Sequence, residues 1–244
     1  KKHYDADFQK DTTISRSSIF HHLESPAHDG TKRTKAEVER AQRRFVRSLA
    51  AYIVFTNILG VGDRHLENLM LRDDGALFHI DFGFICGKEP GDKEVVRKMT
   101  KEARVRLCID QVEAMGGRSS RNYALFQALA VEIFLCLRRH AGVIYTKLNR
   151  ILVPRGMREG QSAAAGVWRD RIKQHFNERC GYEEVAATTG GPPHFAQEKA
   201  AKAAFEKILH SAMESNNFLV LDRLHTGAKA AGFSGASAYI ADGL

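Results

Sequence analysis

The feature that most constrains this chain is the run from Lys35 to Gly60. Val38, Ala41, Phe45, Leu49, Ile53 and Thr56 recur at spacings of three and four, the period of one helix face. The first half of the run is amphipathic, whereas the second half, LAAYIVFTNIL, is apolar all round. A helix that is polar at its start and apolar later enters a core end-on. Gly60 is the expected stop, because glycine takes the left-handed conformation that closes a helix.

That apolar stretch, Leu49–Leu59, is about half the length a membrane span needs and carries Tyr52, Thr56 and Asn57, so no transmembrane helix is expected. The chain opens KKHYDADFQK, with no apolar run behind it to form a secretory leader. It does not begin with Met and reads as a piece of a longer polypeptide. The 244 residues, 43% of them hydrophobic, suffice for a full core in one large or two small domains. Cys86, Cys108, Cys136 and Cys180 follow neither a zinc-ligand spacing nor a CxxC pair and are expected as reduced thiols packed mostly as small hydrophobes. A formal net charge of +8 favours anionic partners. The basic residues do not form a face interleaved with aromatics, so nucleic acid is not among the expected partners.

Residues 1–34 show no sustained period and read as loop with short helical turns. Past Gly60, Asn68–Arg72 and Ala76–Ile80 are β-prone runs around Asp73-Asp74-Gly75, which predicts a hairpin. The stretch after Gly83, to about Lys98, reads as a long irregular loop. Helices are predicted over Lys101–Met115, from Ser120 as a cap through Tyr123, Phe126, Ala130, Ile133, Phe134 and Leu137, over Val143–Leu152, Val167–Glu178, Ala196–Met213 and Phe218–Ala230. Gly190-Gly191-Pro192-Pro193 marks a break.

The residues that carry chemistry lie between Gly60 and Pro90. A turn in G-V-G-D-R-H-L-E-N presents Asp63, Arg64 and His65 just before a strand opened by Asn68. With a two-residue turn Asn68 would face Asp81, and with a three-residue loop it would face Ile80. Either register brings an amide oxygen and a carboxylate close together, a donor pair that suits a hard divalent cation. In the three-residue register Met70 and Ile80 share a face with Asn68.

The segment RFVRSLAAYIVFTNILGVGDRHLENLMLRDDGALFHIDFGFICG resembles, without gaps, the catalytic core of the phosphatidylinositol 3-/4-kinase family. Protein kinases carry H-R-D in the catalytic loop; the order here is D-R-H, as in the lipid-kinase group. Met115–Gly117, LCLRRHAGVI, YEEVA near Tyr182 and LDRLH near Leu221 extend the resemblance toward Ala230 more sparsely. Within the family the chain is most similar to class III phosphatidylinositol 3-kinases. Gly62 stands where 4-kinases typically have lysine, and Leu66 where the related giant protein kinases have proline. The Phe84–Thr100 loop carries a net charge of only +1, against the strongly basic loop of class I enzymes.

The resemblance implies a mainly α (α+β) fold: a protein-kinase-like C-terminal lobe over residues 35–244, a helical bundle whose β-hairpin carries the site. It implies His65 as general base, supported by Asp63, with Arg64 bracing the loop. Asn68 and Asp81 would hold Mg2+ (or Mn2+) on ATP, and Met70 and Ile80 would floor the adenine, plain core packing being the other reading of that pair. Lys88, Lys93, Arg97 and Lys98 would meet the substrate headgroup. The activity implied is transfer of the ATP γ-phosphate to the 3-hydroxyl of phosphatidylinositol. A phosphatidylinositol 4-kinase, a giant Ser/Thr protein kinase and a non-catalytic scaffold are the alternatives. The expected setting is cytoplasmic, peripheral on endosomal or other internal membranes, with a regulatory kinase-like subunit. Before Lys35 stand neither a glycine-rich phosphate loop nor a strand-borne lysine, so this stretch is expected to lack the N-terminal lobe and to be inactive alone.

Overall fold

The computed structural model describes residues 17–26, 30–87, 104–152, 163–180 and 195–214. In chain order these form α1 (Ser18–Glu24), α2 (Lys35–Leu59), β1 (Leu69–Leu71), β2 (Leu77–His79), α3 (Ile109–Ala114), α4 (Arg121–Arg139), α5 (Ala141–Leu152), α6 (Ala163–Cys180) and α7 (Phe195–Glu214), with a 3-10 turn at Leu66–Asn68. The architecture is mainly helical with one two-stranded antiparallel sheet.

Helix α2 is the central strut. It starts at a reciprocal cap in which the Thr34 hydroxyl accepts from the Glu37 amide and the Glu37 carboxylate accepts from the Thr34 amide. It ends at Gly60 in the left-handed region. Ala41, Phe45, Leu49, Ile53 and Thr56 are buried, as the periodicity predicts. Around it pack α4, the hairpin, α1 and α6. Phe45, Phe126, Phe176 and Phe205 lose all solvent contact, each worth roughly 1.5–3 kcal/mol of burial. Phe134 and Phe205 stack at 4.3 Å and tie α4 to α7.

Helix α4 is capped by Ser120, whose hydroxyl accepts from the Tyr123 amide. In the stretch expected to be irregular, α1 buries Leu23 fully, and Ser18 binds the Asp110 carboxylate through its amide and hydroxyl. The helix predicted over Lys101–Met115 is corrected: α3 begins only at Ile109, and residues 104–108 are non-helical. The Arg104 carbonyl accepts from the Arg64 guanidinium, and the Cys108 amide, its partner in a helix, donates to the Gln111 side chain instead. Val105, Arg106 and Leu107 are all buried, a consecutive run that one helix face cannot supply.

None of the four cysteines is in a disulfide, and Cys86 and Cys180 are buried. Burial pushes the Cys180 thiol up to about 12. Among the described residues no helix is long and apolar enough to cross a membrane. The predicted helix Phe218–Ala230, the break at Gly190–Pro193 and the YEEVA and LDRLH segments lie outside the described residues.

Candidate active site

The hairpin closes through two local bonds: the Arg72 amide to the Ala76 carbonyl and the Gly75 amide to the Arg72 carbonyl, both 2.9 Å. The loop is therefore Asp73-Asp74-Gly75, the three-residue register. Leu69 pairs with His79, Met70 with Phe78 and Leu71 with Leu77. Beyond the strands, the Ile80 amide donates to the Asn68 carbonyl at 3.0 Å. Asn68 itself closes the 3-10 turn rather than opening β1.

An Arg44–Asp74 ion pair at 3.4 Å and two closer contacts seat the hairpin on α2. The Leu77 amide donates to the Ser48 hydroxyl at 2.9 Å. Gly75, at φ +90°, lies so close that a Cβ there would sit 2.2 Å from the Ala41 carbonyl oxygen. Leu77 and His79 are thereby buried on the inner side. Met70 and Ile80 are 43% and 39% exposed, so plain core packing is not their role.

The chain is strained on both sides of the hairpin. Asp63 has φ 52° and Asp81 φ 59°, and Cys86 also lies in the left-handed region. Such residues cost on the order of 1–3 kcal/mol each and persist where the surroundings over-determine them. Asp81 is eased by its own carboxylate, which accepts from the Gly83 amide at 2.9 Å. Asn68 donates through Nδ2 to the Asp63 carbonyl at 2.8 Å, holding the turn from inside. His65 Nε2 lies 3.7 Å from Asp63 Oδ1, with both side chains largely buried. That exceeds a hydrogen bond.

The two halves of the site are joined by backbone bonds. The Gly62 amide donates to the Phe84 carbonyl, Cys86 to Leu59 and Gly87 to Gly60, at 2.9, 2.8 and 3.0 Å. The chain leaving Asp81 therefore returns alongside the turn that carries Asp63 and His65. Phe82 meets the exposed ring of Phe55 edge-on at 5.9 Å.

Three arginines hold the turn from the other side. Arg64 Nη1 donates to the Arg104 carbonyl, Arg106 Nη1 to the Arg64 carbonyl and Arg104 Nη1 to the Glu178 carbonyl, at 2.8, 2.7 and 3.1 Å. Hydrogen bonds with charged donors are worth about 1.5–3 kcal/mol. His79, under the turn, is neutral: burial, then the charges of Arg64, Arg106 and His65, bring its pKa down to about 4.

Sequence reasoning missed Arg106, His79 and His175. The first two sit in short apolar runs, V-R-L and L-F-H-I, where a basic residue between hydrophobes signals burial. The third shares the apolar stripe of Ile172 and Phe176 on α6. Lys88, Lys93, Arg97 and Lys98 lie outside the described residues.

The family described as Phosphatidylinositol 3- and 4-kinase matches residues 10–160. A phosphatidylinositol 3-kinase nodule isoform of Glycine max is 47% identical over 100 residues, covering 41% of this chain and 11% of that protein. Phosphatidylinositol 3-kinase VPS34 of Arabidopsis thaliana is 46% identical over 100 residues, again 41% of this chain and 11% of the relative. VPS34 of Saccharomyces cerevisiae is 43% identical over 185 residues, 76% of this chain and 18% of the relative. The match thus spans less than a fifth of the length of each of these relatives.

Proposed function

This chain belongs to the phosphatidylinositol 3- and 4-kinase family, and on that premise we propose that it carries the catalytic turn of a class III-like phosphatidylinositol 3-kinase. The substrate is phosphatidylinositol and the phosphate donor ATP. The names of the relatives, phosphatidylinositol 3-kinase at 43–47% identity, support the class of substrate. The observation that carries the reading is one hydrogen-bonded unit, in which Asn68 grips the Asp63 carbonyl and the Gly62–Phe84 bond draws the Asp81 strand exit alongside.

In that unit the His65 imidazole takes the proton of the inositol 3-hydroxyl. The freed oxygen bonds to the γ-phosphorus, the bond to the bridging oxygen breaks, and that electron pair leaves with ADP. Asp63, beside the imidazole, orients it and supports its charge. Arg64 keeps the turn in place through the Arg104 carbonyl.

Asn68 and Asp81 fit a hard divalent cation, Mg2+ or Mn2+. The amide nitrogen of Asn68 is committed to Asp63, which leaves Oδ1 as the ligating end, and the Asp81 carboxylate is the second oxygen donor. When bound, the cation neutralises charge on the phosphate oxygens. Met70 and Ile80, exposed on the outer hairpin face, floor the adenine. Lys88, Lys93, Arg97 and Lys98 meet the single phosphodiester of the headgroup. The enzyme works from the cytoplasm on endosomal or other internal membranes, with a regulatory kinase-like subunit.

The test uses the full-length kinase with ATP and, in parallel, phosphatidylinositol, its 4-phosphate and a protein substrate. Transfer to phosphatidylinositol at the 3-position is expected; preferential transfer to either other acceptor overturns the substrate. His65→Ala should lower kcat by roughly 10²–10⁴-fold with KM for ATP little changed. A near-normal kcat, with Asp63→Asn the more damaging change, would assign the base to Asp63.

A further inference from the structure

We propose that His175, on α6, is a positioning residue that caps the end of α2 and so fixes the catalytic turn. The inference rests on the kinase reading of that turn.

A helix ends with four carbonyls that have no partner within it. At the end of α2, the Thr56 carbonyl accepts from the Val61 amide and the Asn57 carbonyl from the Gly60 amide. The Leu59 carbonyl accepts from Cys86, on the segment leaving Asp81. The remaining carbonyl, Ile58, accepts from His175 Nε2 at 2.9 Å, across 117 residues of sequence. Because a carbonyl can only accept, the imidazole holds its proton on Nε2.

The ring also fills the space that Gly60 leaves and lies at contact distance from Gly87. A Cβ on Gly60 would lie 2.2 Å from His175 Cε1, and one on Gly87 would lie 3.8 Å from Nδ1. Gly60 begins the turn and Gly87 ends the strand exit, so one buried ring sits against both ends of the candidate site. Neighbouring residues of α6 reinforce the grip: Arg179 Nη1 donates to Asn57 Oδ1 at 3.3 Å, and the Glu178 carbonyl accepts from Arg104, whose own carbonyl holds Arg64. Burial keeps the imidazole neutral, its pKa brought down to about 4, so it works as a donor and a filler and not as a charge. Without it the turn would gain freedom at its root, and a misplacement near 1 Å costs roughly 10²-fold in rate.

The experiment compares full-length wild type with His175→Leu and His175→Gln, the glutamine amide reaching as far as Nε2. Lipid kinase activity on phosphatidylinositol vesicles is measured well below each thermal midpoint, alongside amide hydrogen exchange. His175→Leu should lower kcat by about 10–10²-fold while KM for ATP moves by less than about twofold. Exchange should quicken over residues 59–66 and 84–87 and stay unchanged in α4, and His175→Gln should restore most of the rate. Normal kcat per folded His175→Leu enzyme, unchanged exchange in those two segments, or failure of glutamine to restore the rate would each overturn the proposal. If wild type does not phosphorylate phosphatidylinositol, the substrate reading fails, and the exchange comparison alone decides the positioning role.

Discussion

Residues 68–80 and residues 104–108 both press on the turn that carries Asp63, Arg64 and His65. The hairpin holds its shape through its own backbone: three paired residues on each strand, a three-residue loop and the bond from Ile80 to Asn68. Ser48, the close approach at Ala41 and an Arg44–Asp74 ion pair at 3.4 Å tie it to α2. Residues 104–108 make no ladder. They meet the turn through the Arg106 guanidinium, which spans 42 residues to the Arg64 carbonyl, and through the Arg104 carbonyl, which accepts from Arg64. The Arg104 guanidinium spans 74 residues to Glu178 on α6. Local backbone chemistry therefore shapes the site, while long side chains from remote sequence fix where that shape sits in the core.

The largest expected effect comes from breaking the hairpin at its tip. Gly75→Ala places a Cβ against the α2 backbone at a φ that L residues rarely adopt. The combined strain and overpacking should cost about 4 kcal/mol of stability. A thermal midpoint within one or two degrees of wild type in the full-length kinase would show that the hairpin does not depend on this seat.

Acid should release the opposite side. The pKa of His175 is about 4 when folded, against about 6.5 for a free imidazole. Between those values the unfolded chain binds a proton that the folded chain does not, so stability falls as pH drops from 6.5 toward 4 and is flat above 7. Of the groups facing the ring, Arg179 and Arg104 push its pKa down and Glu178 opposes them. The contribution is on the order of 3 kcal/mol, and it should vanish in His175→Gln. Denaturant melts of both proteins from pH 4.5 to 7.5 measure it, and parallel pH profiles would remove His175 from this role.

Arg106→Leu sharpens the contrast more gently. It leaves the buried Arg64 carbonyl without the Arg106 guanidinium, a loss of about 2 kcal/mol. Lysine, with a point charge in place of a planar fork, should recover only part. Equal stability of Arg106→Leu and wild type would reduce the guanidinium relay to a bystander.

The same contrast explains what could be read from the chain. Helix α2, its Gly60 stop, the Ser120 cap and the hairpin follow from periods and turn residues within a few positions of one another. The choice of loop register stayed open because its arbiter is tertiary: Gly75 seated on Ala41. The non-helical course of 104–108 was misread because its local residues tolerate a helix, and only the competing bond from Arg64 takes the Arg104 carbonyl away. His65, Asp63, Asn68 and Asp81 stood out as a pattern. Arg106 and His175 act across 42 and 117 residues, and spacing carries no trace of such pairs.

The smallest effect on stability should come from the outer hairpin face, and there the sign matters more than the size. Met70 and Ile80 are 43% and 39% exposed, so truncating either to alanine removes less buried surface than the same change on the inner face. Stability should change by about 1 kcal/mol or less for each. If this face floors the adenine, the same truncations remove apolar contact from bound ATP. About 1 kcal/mol of lost contact raises KM for ATP roughly fivefold, with kcat nearly unchanged. Leu77→Ala on the inner face is the control: it should lower the thermal midpoint, because Leu77 is buried against the core. If Met70→Ala and Ile80→Ala instead melt like Leu77→Ala and leave KM for ATP untouched, the two faces are energetically alike and the nucleotide lies elsewhere.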